Sequence, residues 1–244
     1  MIARAQVSAG TILFLTVLAV APLRADPATI FSNFGPNLEF QDEPTHGWTI
    51  NGFFSPSVGQ QAISQLFTPS RSYLFERVRL ALTLFPGPTA IDLFLQADND
   101  GLPGAVKDVI PLHGLSTGTA VVSGQSVAQP LVFANNPYWL TVVAGGPGVL
   151  AGWNWNSTGD VSDGHNFAAT QGGSPAGPWG LGLRSELRSA FEIQGQVQPT
   201  PEPSSLVLLA TACVVFRRSA RRRAAQRHLA LSRSVESSSN RSFI

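Results

Sequence analysis

Tyr73-Leu-Phe-Glu-Arg-Val-Arg-Leu-Ala-Leu-Thr-Leu84 decides the fold. From Glu76 onward its apolar residues alternate: Val78, Leu80, Leu82 and Leu84 point one way, and Arg77, Arg79, Ala81 and Thr83 the other. A period of two is the mark of a β-strand with one face on a core. Outward from this strand the same habit recurs in Ile91–Gln96, Ala120–Ser123, Pro130–Phe133, Tyr138–Val143 and Ser189–Gly195. Gly, Pro, Asn and Ser clusters divide these runs, as turns do in all-β domains. Between Asp26 and Gln198 the Gly and Pro residues interrupt every 3.6-residue pattern, and each is costly inside a helix. The expectation is an all-β fold of two packed antiparallel sheets: a β-sandwich of jelly-roll or immunoglobulin-like topology over 26–198, with few or no helices and no internal repeat.

Charge and cysteine usage narrow the function classes. The chain's +1 formal charge hides an uneven distribution. Residues 26–198 carry six basic and thirteen acidic side chains, a formal balance of −7, and most arginines lie after residue 198. An acidic domain lacks the basic stripe that phosphate backbones require, which argues against nucleic acid as a partner. The single cysteine, Cys213, lies in the C-terminal apolar run, so 26–198 holds no disulfide and no thiolate zinc site. The domain must stand on hydrophobic packing.

Both ends read as addresses. Arg4, then the apolar run Ala9–Ala21, then Pro22-Leu-Arg-Ala25 before Asp26, follow the plan of a secretory signal peptide over 1–25. The run is short of the roughly 20 apolar residues that a stable span needs; retention as an anchor is the alternative to cleavage after Ala25. At the other end, Pro201-Glu202-Pro203 precedes the apolar segment Leu206–Phe216 and the arginines Arg217, Arg218, Arg221, Arg222 and Arg223. Eleven helical residues cover only about 16 Å of a ~30 Å hydrocarbon core, which suits transient parking in the inner membrane. The arginines favour the cytoplasmic side and leave the Pro-Glu-Pro outside. A plain C-terminal helix with a basic face is the alternative.

The order over 199–223 resembles the PEP-CTERM sorting signals of Gram-negative bacteria. The resemblance implies an exosortase-type processing enzyme as partner, with Pro201, Glu202, Pro203 and the five arginines as the sorting motif. Residues 224–244 depart from it: the serine-rich stretch after Ser232 extends past the basic cluster and has little to bury, so a disordered tail is expected. Within the domain, Thr29-Ile-Phe-Ser-Asn-Phe-Gly-Pro36, His46-Gly-Trp-Thr-Ile-Asn-Gly52, Ala62–Phe67 with Thr68-Pro-Ser70, Asp100-Gly-Leu-Pro-Gly104, Tyr138-Trp-Leu140 and Trp153-Asn-Trp-Asn-Ser-Thr-Gly159 are similar to the choice-of-anchor R domain. That likeness covers nearly all of Asp26–Gln196. It implies an exported β-rich module followed by an anchoring signal, and it brings no catalytic or binding residues with it.

Three constellations carry possible chemistry. Asp98-Asn-Asp100-Gly101 starts like a calcium loop, yet the fifth and twelfth positions counted from Asp98 are Leu102 and Val109, where oxygen ligands belong. A strand-connecting turn is the simpler reading; a calcium site on Asp98 or Asp100 with backbone carbonyls is the alternative. Trp153 and Trp155, two apart, share one face of a strand, with Asn154 and Asn156 on the other. Indole faces beside amides suit sugar rings, whereas burial in the core competes for both tryptophans. Trp179, in a glycine-rich stretch, is a third candidate for stacking, and Trp48 and Trp139 read as core. His46, His113 and His165 lack metal-ligand spacing, and no nucleophile elbow, phosphate loop or dinucleotide fingerprint occurs. The sequence therefore points to a non-enzymatic surface or biofilm-matrix protein with a structural or adhesive role. The alternatives are a carbohydrate-binding module for exopolysaccharide and, behind it, a glycan-active hydrolase using two unidentified carboxylates. No cofactor is expected beyond that calcium alternative.

Overall fold

A computed structural model describes residues 26–43, 46–52, 59–165, 167–170, 173–182 and 184–198. The expected signal peptide, the sorting motif over 199–223 and the tail lie outside the described residues. The chain parts into two units, Met1–Val197 and Gln198–Ile244, and every described strand belongs to the first.

Among the described residues the regular structure is almost wholly β. The strands are β1 (Ala28–Ser32), β2 (Gly47–Asn51), β3 (Ala62–Phe67), β4 (Tyr73–Leu84), β5 (Ile91–Asn99), β6 (Leu102–Leu112) and β7 (Gly118–Gln125). They continue with β8 (Leu131–Val132), β9 (Tyr138–Ala144), β10 (Leu150–Asn154), β11 (Phe167–Thr170), β12 (Gly180–Leu181) and β13 (Phe191–Val197). Among the described residues a single 3₁₀ turn at Pro36–Leu38 is the helical content. All pairings are antiparallel and fall into two sheets. The first runs β1-β13-β4-β10-β2, with β7 and β8 also on β4; the second runs β12-β11-β3-β9-β5-β6.

The long strand β4 organises the first sheet as its alternation demands. Val78, Leu80, Leu82 and Leu84 are buried in the main apolar cluster together with Phe75. Phe75 and Val78 sit three apart yet reach the same cluster because the register against β13 slips between Gln194 and Gly195, leaving Glu76 extra on β4. Such a bulge turns the following residues by one step. Gly195 allows it: a Cβ there would stand 2.3 Å from the Leu74 carbonyl oxygen. The second sheet gives the same cluster Ile63, Phe67, Ile91, Leu93, Leu95, Tyr138, Leu140 and Val142. At about 1.5–3 kcal/mol for each fully buried large apolar side chain, this shared cluster is the main source of stability in a domain without disulfides.

The outer faces are covered too. On the first sheet, Ala81 and Ala190 meet Phe34, with Leu38 and Phe40 packed around them. The segment that brings these aromatics is tied down where Asn154 Nδ2 donates to the Gln41 carbonyl at 3.0 Å and the Gln41 N–H to the Trp155 carbonyl at 2.9 Å. On the second sheet, Ser64, Thr141 and Gln96 form a buried chain of hydrogen bonds that ends on the Pro175 carbonyl, 2.9 Å from Gln96 Nε2. Trp139 is buried on this outer face, outside the shared cluster.

Candidate functional site

Register on the first sheet assembles an aromatic group at its β2 edge. Trp48 pairs with Trp153 and Gly47 with Asn154, so His46 falls opposite Trp155. Its carbonyl accepts the Trp155 N–H at 3.0 Å. The His46 ring stacks on Trp155, with centroids 5.5 Å apart and planes at 20°, and Trp48 meets the same indole edge-on at 6.2 Å and 68°. Trp48 is fixed by its Nε1–H, which donates to the Leu187 carbonyl at 2.8 Å. Glu43 Oε2 lies 3.2 Å from His46 Nε2. All three residues are half-buried, and the Trp155 Nε1–H is enclosed without an acceptor among the described residues.

Trp153 has no exposed part. It is 0% exposed, packs edge-on against Phe191 at 5.7 Å, and donates from Nε1 to the Ala190 carbonyl at 3.0 Å. It has no surface to offer a sugar, which corrects its place among the stacking candidates. The reason is position: β10 carries Trp153 between β4 and β2, paired with Leu82 and Trp48, while Trp155 lies past the strand's end in an isolated bridge to Ser189. Asn154 and Asn156 are also unavailable. Asn154 Oδ1 accepts from Thr83 Oγ1, while Asn156 donates to the Asp160 and Arg188 carbonyls and accepts from the Thr158 and Asp160 N–H groups. Trp179 is half-buried and distant in the fold's pairing, on the strand-poor stretch before β12, and its Nε1 is enclosed without an acceptor among the described residues.

The Asp98–Gly101 stretch is a hairpin turn. Asp100 and Gly101, with φ of 54° and 82°, form the two-residue connection between β5 and β6. Two successive positive φ values define the turn whose twist matches the strands. Both Asp98 oxygens are engaged: Oδ1 accepts from Trp139 Nε1 at 2.7 Å and Oδ2 from the Gly101 N–H at 3.1 Å. Among the described residues no group of three or more His, Cys, Asp or Glu is placed to hold a metal ion.

A buried polar knot, which no sequence pattern marked, lies near the Trp155 group. Arg188 Nε donates to Gln65 Oε1 at 3.0 Å, Nη1 to Asp160 Oδ2 at 3.1 Å, and Nη2 to the Leu66 carbonyl. Its guanidinium carbon also sits 5.4 Å from the Phe31 ring centre and 5.7 Å from that of Phe191. Asn33 completes the knot, donating to Asp160 Oδ2 and the Ser189 carbonyl while accepting the Phe191 N–H. Burial pulls the guanidinium below its ordinary pKa, with the Asp160 and Asp163 carboxylates opposing; an arginine still keeps its charge. Every Arg188 nitrogen has a partner, so the knot fixes the 156–162 and 185–190 segments onto the sheets and offers nothing to a substrate. No family model matches the chain, and no curated protein matches it.

Proposed function

We propose that this chain is an exported β-sandwich protein of jelly-roll or immunoglobulin-like kind. It is sorted by an exosortase-type enzyme to the envelope or extracellular matrix of a Gram-negative bacterium, where it serves a structural or adhesive role without catalysis. The observation that carries the reading is the order Pro201-Glu202-Pro203, apolar Leu206–Phe216, then Arg217, Arg218 and Arg221–Arg223, behind an apolar N-terminal run of signal-peptide plan. A cysteine-free domain that buries two sheets' worth of apolar side chains in one cluster suits life outside the cytoplasm without dependence on disulfides. Among the described residues no helix is long and apolar enough to cross a membrane; the transient membrane contact belongs to the 206–216 segment. The test is deletion of residues 201–223 followed by fractionation of the host. Loss from the surface and matrix fractions is expected, and unchanged localisation would sink the sorting claim.

A second reading, binding of exopolysaccharide, is favoured by the His46–Trp48–Trp155 group, whose rings stack on one another in residues that are only half-buried. It expects saturable signal on a glycan array that Trp155→Ala weakens. An array without signal for the intact protein would end it.

A further inference from the structure

A second surface feature stands apart from the aromatic group. A groove of about 380 Å³ opens where the β5–β6 hairpin of the second sheet meets β8 and the loop leading to β9. That volume lies in the range of small-ligand sites. Its lining includes Asp98, Lys107, Phe133, Asn136 and Tyr138. Phe133 is 51% exposed, a large apolar ring left in water at the groove's wall. Its backbone is fixed, because the Phe133 N–H donates to the Tyr138 hydroxyl at 2.9 Å, and that tyrosine is itself buried. Lys107 is the one lysine in the sequence and is exposed. No ion pair to it occurs among the described residues. Asp98 is held in place by Trp139 and the Gly101 N–H, and its carboxylate has lone pairs to spare for hydroxyl donors.

We propose that this groove binds a short acidic saccharide, with a uronate carboxylate on the Lys107 ammonium and the C–H face of a sugar ring against Phe133. The ring hydroxyls fall to Asp98 as acceptor and to the exposed Asn136 amide as donor or acceptor. Each lining group then meets a complementary part of one ligand class: charge for charge, an apolar ring face for an aromatic one, and hydroxyls for fixed polar groups. A neutral sugar leaves Lys107 without a counter-charge, and an aliphatic carboxylate leaves Phe133, Asp98 and Asn136 unused. The domain's formal charge of −7 repels a long polyanion, so the fit is to a short oligomer or a chain end. The proposal extends the saccharide-binding reading to a different place on the domain, and its test separates the two.

The uniqueness of Lys107 makes the test direct. The full-length chain is treated with acetic anhydride with and without trigalacturonate, and the Lys107 peptide is read by mass spectrometry; maltotriose is the neutral control. The expected result is at least fivefold slower acetylation of Lys107 with trigalacturonate and no change with maltotriose. In parallel titrations Lys107→Ala and Phe133→Ala each weaken trigalacturonate binding tenfold or more, while Lys107→Arg retains it. Absence of protection, equal protection by maltotriose, or binding that survives Lys107→Ala overturns the assignment. If binding survives Lys107→Ala and is lost in Trp155→Ala, the saccharide sits at the other aromatic group: the groove falls and the broader reading stands. If neither sugar binds, the groove assignment falls, and the broader reading is left to its own array.

Discussion

Replacing Arg188 by methionine tests whether the buried knot holds the two loop segments to the sheets. The side chain of Arg188 is 6% exposed, and removing it orphans two neutral acceptors, Gln65 Oε1 and the Leu66 carbonyl. Leaving a buried acceptor unpaired costs about 1–3 kcal/mol. The Asp160 carboxylate is 29% exposed and keeps its bond from Asn33, so water and that amide soften its loss. The few kcal/mol typical of breaking a fully buried pair therefore shrink to about 1 kcal/mol for this partner. Methionine restores much of the packing on Phe31 and Phe191 but not the cation–π attraction, which is worth about 1 kcal/mol. The sum is about 4–8 kcal/mol, or roughly 8–32 °C in Tm for a domain of this size. Urea unfolding followed by far-UV circular dichroism measures it. Arg188→Lys keeps the charge without the planar fork and is expected to fall between wild type and methionine. A loss below about 1 kcal/mol for Arg188→Met would refute the reasoning, since it would mean that the knot's acceptors find other partners or water.

Other changes separate core from surface. Trp153→Ala removes a fully buried indole that also satisfies the Ala190 carbonyl, and should cost about 3–5 kcal/mol by the same urea assay. Trp155→Ala, at a half-buried residue past the strand's end, should cost distinctly less than Trp153→Ala; an equal loss would place Trp155 in the core. Gly101→Ala adds a methyl that meets nothing within 4 Å, at a φ of 82°, so its cost of about 1 kcal/mol is wholly backbone strain. Calcium at millimolar concentration should leave Tm unchanged, because the Asp98 carboxylate already accepts from the Trp139 indole of β9 and the Gly101 N–H, and among the described residues no group of three or more His, Cys, Asp or Glu gathers around it; a rise of several degrees would reveal a site there.

Much of the fold was legible because burial on one face imposes a period of two, which β4 shows without interruption apart from its bulge at Glu76. The hairpin at Asp100-Gly101 was legible for a similar local reason, since few other residues tolerate positive φ twice in a row. The strand β6, Leu102-Pro-Gly-Ala-Val-Lys-Asp-Val-Ile-Pro-Leu112, was hidden by its two prolines and its glycine. As the outermost strand of its sheet it pairs only with β5, and an edge position accommodates Pro103 and Pro111 where a central one does not. The candidate site was less legible. Trp153 and Trp155 share a parity, but which of them lies past the strand's end, and that His46 falls opposite Trp155, depend on a pairing across more than a hundred residues. Arg188 sits in a stretch with no periodic signal, and nothing local distinguishes it from a solvated loop arginine. The groove at Lys107 and Phe133 likewise arises from two sheets meeting, which no single run of sequence encodes.

The central claim is export followed by processing at the Pro-Glu-Pro marker. Intact mass and N-terminal sequence of the protein recovered by fraction from its native host test it most directly. The expected species, in the envelope or matrix fraction, begins near Asp26 and ends near Pro203. A recovered chain that still carries residues 206–244 in those fractions would contradict the claim.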